Sequence, residues 1–263
     1  MNFLVGTSFM MIFLTIKWGD KYTPKYVNNL YRMIKKNYTK DSRFICYTDD
    51  PSELECETLP IPDDGLLHPE YYFGKEDYCF DRAKFLIFNS EEWLNVPSNV
   101  KFCYFDLDVV IQDNIDDIDI LANKPRIITS RWQPRRQIHD RFFIDTRGTF
   151  YNSSMLLWPY GDCRHIYEDV LRNNEIVFKT FMKGTDNYHF WRQRKFWKNI
   201  PDDWVYSWNR GRHFPGDIET AKFRRDAKIC IFNTDNVPDP RAKRFIELHQ
   251  CTDENILRLW NCE

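Results

Sequence analysis

The segment Val100-Lys-Phe-Cys-Tyr-Phe105 is almost wholly apolar and runs straight into Asp106-Leu107-Asp108, then Val109-Val110-Ile111. A run of this kind reads as one strand over Lys101–Ile111, buried on both faces as in parallel sheets flanked by helices. It constrains the rest of the chain, because a doubly covered strand requires helices on both sides. The chain supplies them. Met10–Lys17 reads as a first strand, and Tyr22-Thr-Pro24 opens a helix with Val27, Leu30, Tyr31 and Ile34 at helical spacing. Arg43–Thr48 is a second strand ending in the turn signal Asp49-Asp50-Pro51, and Thr58–Ile61 a third. Asp81–Asn89, Cys163–Asn174 and Asp186–Arg194 read as helices, and Arg126–Ser130, Thr149–Trp158 and Lys228–Asn233 as strands. Alternation of this kind predicts an α/β fold with a mostly parallel central sheet, in a single domain over 1–263. The polar, basic stretch Trp132–Arg147 reads as a long loop.

Composition narrows the function classes. Among 263 residues, 43% are hydrophobic and 17% aromatic, so neither a disordered chain nor a collagen-like rod fits. Thirty-seven basic residues face 39 acidic ones, which argues against a nucleic-acid partner. The charge is unevenly spread: residues 1–130 carry 14 basic and 21 acidic side chains, and residues 131–263 carry 23 and 18. Six of the nine tryptophans, Trp132 among them, lie between 131 and 210. The eight cysteines form no CxxC pair and several sit inside apolar runs, which reads as free thiols in a cytoplasmic setting. The apolar run Phe3–Ile16 is shorter than a bilayer span and has no basic leader. It reads as a buried strand, with Met10 or Met11 as alternative starts; no integral membrane segment is expected, and peripheral membrane contact stays open. The sequence is silent on oligomeric state.

The two carboxylates carry the chemistry. Residues i and i+2 of a strand share a face, so Asp106 and Asp108 are expected to converge on one ligand at a strand's carboxyl end. Hard oxygen donors select Mg²⁺ or Mn²⁺ over zinc. Such a pair also serves as an ordinary turn or helix cap, and order along the chain decides between the readings.

In that order, the sequence resembles the nucleotide-sugar glycosyltransferases of GT-A type, nearest to the small sugar transferases related to family eight, over about residues 10–240. The resemblance implies a Rossmann-like α/β/α sandwich and a divalent cation held on a donor diphosphate by Asp106 and Asp108. It implies a nucleotide- and metal-binding half over 10–130 and an acceptor-binding half over 131–245. Phe44-Ile-Cys-Tyr-Thr48-Asp-Asp-Pro looks like part of the first nucleotide-binding unit, putting Thr48 and Asp49 near the nucleotide. Asp81-Arg82-Ala-Lys84 resembles the helix before the metal motif, whose basic residue reaches the diphosphate or the motif's carboxylates. Tyr151-Asn152-Ser153-Ser154 resembles the acceptor-side strand, and Trp132 falls in the acceptor-side aromatic region. Gly184-Thr185-Asp186-Asn187 resembles the family's Asp-Gln helix start, which marks Asp186 and Asn187 as catalytic candidates. The same Asp186 suits a plain helix N-cap. One segment departs: Asn233 stands where relatives have a metal-binding histidine and Asp239 where they have a lysine. Asn233 or Asp235 then becomes the expected further oxygen ligand, with Arg241 and Lys243 as replacement charge.

The implied activity is transfer of a sugar, UDP-linked by the resemblance, from a nucleotide-diphosphate donor to a carbohydrate or other hydroxyl acceptor. Two alternatives stay open. Phe105-Asp106-Leu107-Asp108 also matches the nucleophile motif of haloacid-dehalogenase phosphatases, with Asp106 attacking a phosphoryl group. The departures at Asn233 and Asp239 also suit a non-catalytic sugar-binding protein of the same fold. His189 and His213 read as solvated or stacked side chains, and Arg131, Arg135 and Arg136 as an exposed basic loop.

Overall fold

The computed structural model describes residues 10–63, 82–129, 149–181, 184–209, 222–232 and 247–263. Strand β1, Met10–Lys17, leads into helix α1, Pro24–Asn37, which returns the chain to β2, Ser42–Thr48, parallel to β1 with Phe13 opposite Phe44. Proline at the first turn of α1 starts that helix without losing a bond, and Lys35 and Lys36 suit its negative end. Strand β3, Glu57–Pro60, adds to β2, and β4, Val100–Phe105, lies on the other side of β1. Strands β6, Arg126–Thr129, β7, Tyr151–Pro159, and β8, Lys198–Asn199, complete a seven-stranded sheet in the order β3-β2-β1-β4-β7-β6-β8. Its pairs are parallel except where β7 meets β4 and β6.

The strands alternate between two cores. Met11, Phe13, Cys103, Phe105, Met155 and Leu157 face one core with Leu30 and Ile34 of α1. Ile12, Leu14, Phe102, Tyr104, Leu156 and Trp158 face the other. The second core is closed by the 3₁₀ helix Arg82–Asn89, by α2 (Ser90–Trp93), and by α4 (Arg164–Arg172), while α3 (Ile118–Leu121) puts Ile118 into the first. Helices α5, Asn174–Thr180, and α6, Thr185–Arg192, continue that layer. The result is the expected α/β architecture with helices on both faces of a mostly parallel sheet.

The strand expected over Lys101–Ile111 breaks. β4 stops at Phe105, and β5, Val109–Ile111, joins a separate three-stranded sheet in the order β5-β10-β9, with β9 at Val205–Ser207 and β10 at Ile229–Ile231. The antiparallel ladder of β5 with β10 makes the switch, and the Phe232 N–H extends it by donating to the Asp108 carbonyl at 2.9 Å. A further 3₁₀ turn, Glu247–Gln250, and α7, Glu254–Trp260, follow. In α7 the Asp253 side chain accepts from the N–H groups of Asn255 and Ile256, an ordinary N-cap.

Three other expectations shift for physical reasons. The helix over Asp81–Asn89 is a 3₁₀ helix, in which residues three apart stack in rows. Arg82, Phe85 and Phe88 form such a row against aromatic partners: Arg82 lies over Phe178, Phe85 meets Tyr188 and His189, and Phe88 meets Trp158 and Trp197. The helix expected over Cys163–Asn174 ends at Arg172, and a new one starts at Asn174. The strand expected from Thr149 starts at Tyr151, because the Thr149 hydroxyl accepts the Tyr151 N–H at 2.9 Å and makes a turn. The loop Trp132–Arg147 lies outside the described residues.

Among the described residues, no helix is long and apolar enough to cross a membrane. Seven cysteines are described, all as free thiols. Burial raises the pKa of each, Cys56 to about 11.

Candidate active site

Four strands deliver the site to one edge. Leu14 of β1 lies opposite both Ile45 of β2 and Tyr104 of β4. Three residues on, Lys17, Thr48 and Leu107 therefore sit at the same carboxyl edge, with Asp106 and Asp108 on either side of Leu107. This is where open α/β sheets bind ligands.

A bulge in β7 builds the rest. Against β6 the register jumps, from Ile127 opposite Leu156 to Ile128 opposite Asn152, so residues 153–155 have no partner on that strand. The Ser153 N–H is released from the ladder and donates to Asp186 Oδ1 at 2.7 Å. Beside it, the Ser154 carbonyl accepts the Asp106 N–H at 2.9 Å, and Asn152 Oδ1 accepts the Ser154 N–H at 3.0 Å. Bulges next to functional sites re-aim groups in this way.

The side chains form a chain of contacts. Lys84 Nζ donates to Asp106 Oδ2 at 2.8 Å and to Ser153 Oγ at 3.2 Å. Ser153 Oγ and Thr185 Oγ1 are 3.0 Å apart. Tyr104 donates its phenol to Asp106 Oδ1 at 2.7 Å, and Tyr22 donates to Asp108 Oδ2 at 3.1 Å. The pKa values of both phenols are raised, first by burial and then by the aspartates. Asp186 is partly buried and its pKa rises to about 6. Burial is the main cause; Lys84 and the Ser153 bonds oppose it, and Asp106 adds to it.

The sequence candidates divide accordingly. Asp106, Lys84, Ser153 and Asp186 come together. Asp108 follows the end of β4, so the pair is not held by a strand pleat as expected; Asp108 Oδ2 accepts from Tyr22 at 3.1 Å, and after burial the two aspartates together raise the pKa of both Tyr22 and Tyr104. Arg82 stacks its guanidinium 4.3 Å from the Phe178 ring centroid, while Lys84 takes the carboxylate. Asp186 is no side-chain cap: Gly184 holds the N-cap position of α6, and Asp186 bonds across to β7. Thr48 and Asp49 shape the edge: the Thr48 hydroxyl accepts the Asp50 N–H at 3.1 Å, and Asp49 accepts the Gly19 N–H at 2.9 Å. Gly19 has φ +62°, a conformation that side chains rarely adopt. Asn187 is buried, and its amide nitrogen has no hydrogen-bond partner among the described residues. Asn233, Asp235 and Trp132 lie outside the described residues, as do Asp239, Arg241, Lys243, His213 and the arginines at 131, 135 and 136.

Sequence reasoning missed Tyr22 and Tyr104. Tyr104 had a signal, since it precedes Asp106 by two and shares its face. Tyr22 had none, being distant in sequence. His189 is stacked, as expected, and fully buried among Phe85, Phe88 and Trp197. Trp197 donates to its Nδ1 at 3.2 Å, and burial, then Lys84, lowers its pKa to about 3, so the ring is neutral.

Two carboxylates of this kind fit a hard divalent cation by donor chemistry. Among the described residues, no group of three His, Cys, Asp or Glu side chains is placed to hold a metal ion.

The sequence matches no protein-family model and no curated protein. The fold has solved counterparts. The galactosyltransferase LgtC, in complex with donor and acceptor sugar analogues, superposes with a TM-score of 0.60 at 10% identity, over 95% of each chain. Mouse xyloside xylosyltransferase 1, in its apo form, superposes at 0.54 and 12% identity, over 87% of this chain and 99% of its own. This chain has the GT-A glycosyltransferase fold. Within the GT-A fold, an active-site mutant of LgtC also superposes, at 0.55 and 10% identity, over 88% of this chain and 91% of its own.

Proposed function

We propose that the protein transfers a sugar from a nucleoside-diphosphate donor, UDP-linked by preference, to a hydroxyl of a carbohydrate or other acceptor. The observation that carries the reading is the Asp106–Lys84–Ser153–Asp186 network at the carboxyl edge of a GT-A sheet. Asp106 and Asp108 would hold Mn²⁺ or Mg²⁺, with Asn233 or Asp235 as further oxygen donors; when bound, the ion supplies charge stabilisation for the departing diphosphate. Lys84 adds positive charge on the same side, and Arg82 backs it in the same 3₁₀ helix. Asp186, with its pKa near 6, is available as an anion near neutral pH to face the electron-poor sugar carbon. Asn187 presents its unpartnered amide nitrogen from the same helix start. Asn152, Ser153 and Trp132 belong to the acceptor side, Thr48 and Asp49 to the nucleotide side. In this reading residues 10–130 form the nucleotide- and metal-binding half and 131–245 the acceptor-binding half. The free thiols suit a reducing compartment such as the cytoplasm.

Calorimetry with UDP and Mn²⁺, followed by a nucleotide-sugar panel, tests the proposal. Binding at millimolar or better, and transfer lost in Asp106→Asn, are expected. Absence of nucleoside-diphosphate binding overturns it. The phosphatase alternative predicts turnover of p-nitrophenyl phosphate that requires Asp106; the GT-A likeness of the fold does not favour it.

A further inference from the structure

Asp106 offers two carboxylate oxygens, and the fold engages both. Their partners differ in kind. Tyr104 is neutral and is carried on the same strand two residues earlier, so it holds the carboxylate's orientation. Lys84 brings a full positive charge on a flexible stem, and its side chain keeps 14% exposure. Its ammonium has a second seat within reach, Ser153 Oγ at 3.2 Å. Ser153 in turn holds Asp186 through its N–H.

We propose that Lys84 is a built-in competitor for the divalent cation at Asp106, and that cation entry moves its ammonium off Asp106 toward Ser153 and Asp186. The proposal rests on the reading of Asp106 as a cation ligand and adds an order of events to it. Two cations on one carboxylate oxygen repel each other strongly inside a protein. The ammonium therefore weakens binding of the metal alone. Anionic diphosphate relieves the repulsion, so metal and donor bind cooperatively. The displaced charge lands beside Asp186 and favours its ionised form.

The test is Mn²⁺ binding without nucleotide, read from the electron paramagnetic resonance of the free ion, which needs no turnover. Lys84→Met is expected to bind Mn²⁺ about tenfold more tightly than the wild type. Lys84→Arg, which keeps the charge, is expected to bind no more tightly than wild type, and Tyr104→Phe more weakly by about tenfold. Opposite signs at two partners of one carboxylate do not arise from loosened packing. Wild-type or weaker affinity in Lys84→Met overturns the proposal, and if Asp106→Asn still abolishes binding then the cation-ligand reading stands. Failure of every variant, with the wild type, to bind Mn²⁺ with or without UDP overturns both. A second measurement uses unmutated protein: amidination of Lys84, followed by mass spectrometry, is expected to quicken on adding Mg²⁺, and an unchanged rate overturns the displacement.

Discussion

The two faces of the central sheet are equally buried and chemically unlike. The face toward α1 and the small sheet is packed mainly by aliphatic and aromatic side chains such as Phe13, Leu30, Ile34 and Trp260, and the buried Thr15 and Lys101 on that side bond to backbone carbonyls. The face toward the 3₁₀ helix and α6 mixes its aromatics with Lys84, Ser153, Thr185, Asp186 and His189, all buried or nearly so. Buried polar groups cost stability unless paired, so a core that keeps a connected set of them on one side has a use for them beyond packing. The difference teaches that the aliphatic face supports the fold, and the polar face pays some of its stability toward a site.

That contrast breaks most sharply in a pair of variants. Asp106→Asn on the polar face is expected to lower sugar transfer by about 10²–10³-fold while the melting temperature stays close to wild type. Leu30→Ala on the aliphatic face is expected to cost about 2–5 kcal/mol of stability and leave turnover per folded molecule unchanged. Kinetics beside thermal melts on the two proteins check this, and exchanged behaviour would refute the division.

A smaller effect sharpens the cost at Asp186. Its carboxyl has an ordinary pKa of 3.8 and a folded value of about 6, so the native state binds the extra proton between those values. Ionised Asp186 therefore lowers stability fully above about pH 6, and the penalty fades toward pH 3.8. Asp186→Asn keeps an oxygen to accept the Ser153 N–H. It is expected to gain about 2 kcal/mol at pH 8, or some 4–8 °C, and nothing at pH 4, while losing activity. Melts across that range decide it; a gain independent of pH would remove the linkage.

The smallest effect concerns His189, whose sign is opposite. Its folded pKa of about 3 lies below the ordinary 6.5, so its contribution is intact above pH 6.5 and is lost as pH falls toward 3. In the wild type Asp186 offsets this loss between pH 6 and 4. In Asp186→Asn the offset is gone, and stability is expected to fall by about 1 kcal/mol per pH unit there. Urea titrations at three pH values measure the slope; equal slopes in the two proteins would contradict the opposition.

Much of the fold was legible because its signals are local. The apolar runs at β1, β2 and β4, and the helical spacing of Val27, Leu30 and Ile34, depend on nearby residues alone. The sheet switch after Asp108 was not legible, since Val109-Val110-Ile111 continues the same apolar pattern and its pairing with Ile229–Ile231 lies more than a hundred residues away in sequence. The 3₁₀ form of Arg82–Asn89 was hidden for a similar reason: seven of its eight residues are buried, which erases the polar face that distinguishes helix types by period. At the site, Asp106 was named from its place at a strand end and Lys84, Ser153 and Asp186 from resemblance, yet the bulge that brings the last two together depends on a register between β6 and β7. Two-residue strands such as β8 carry too little pattern to be read at all.

The break between β4 and β5 has a mechanical meaning. The Asp106 backbone is bonded to β7 of the large sheet and the Asp108 backbone to Phe232 beside the small one, and a single residue, Leu107, lies between them. An ion gripped by both carboxylates would act as a rivet across that joint. Its occupancy would then be felt as stiffness by the whole small sheet, far from any sugar.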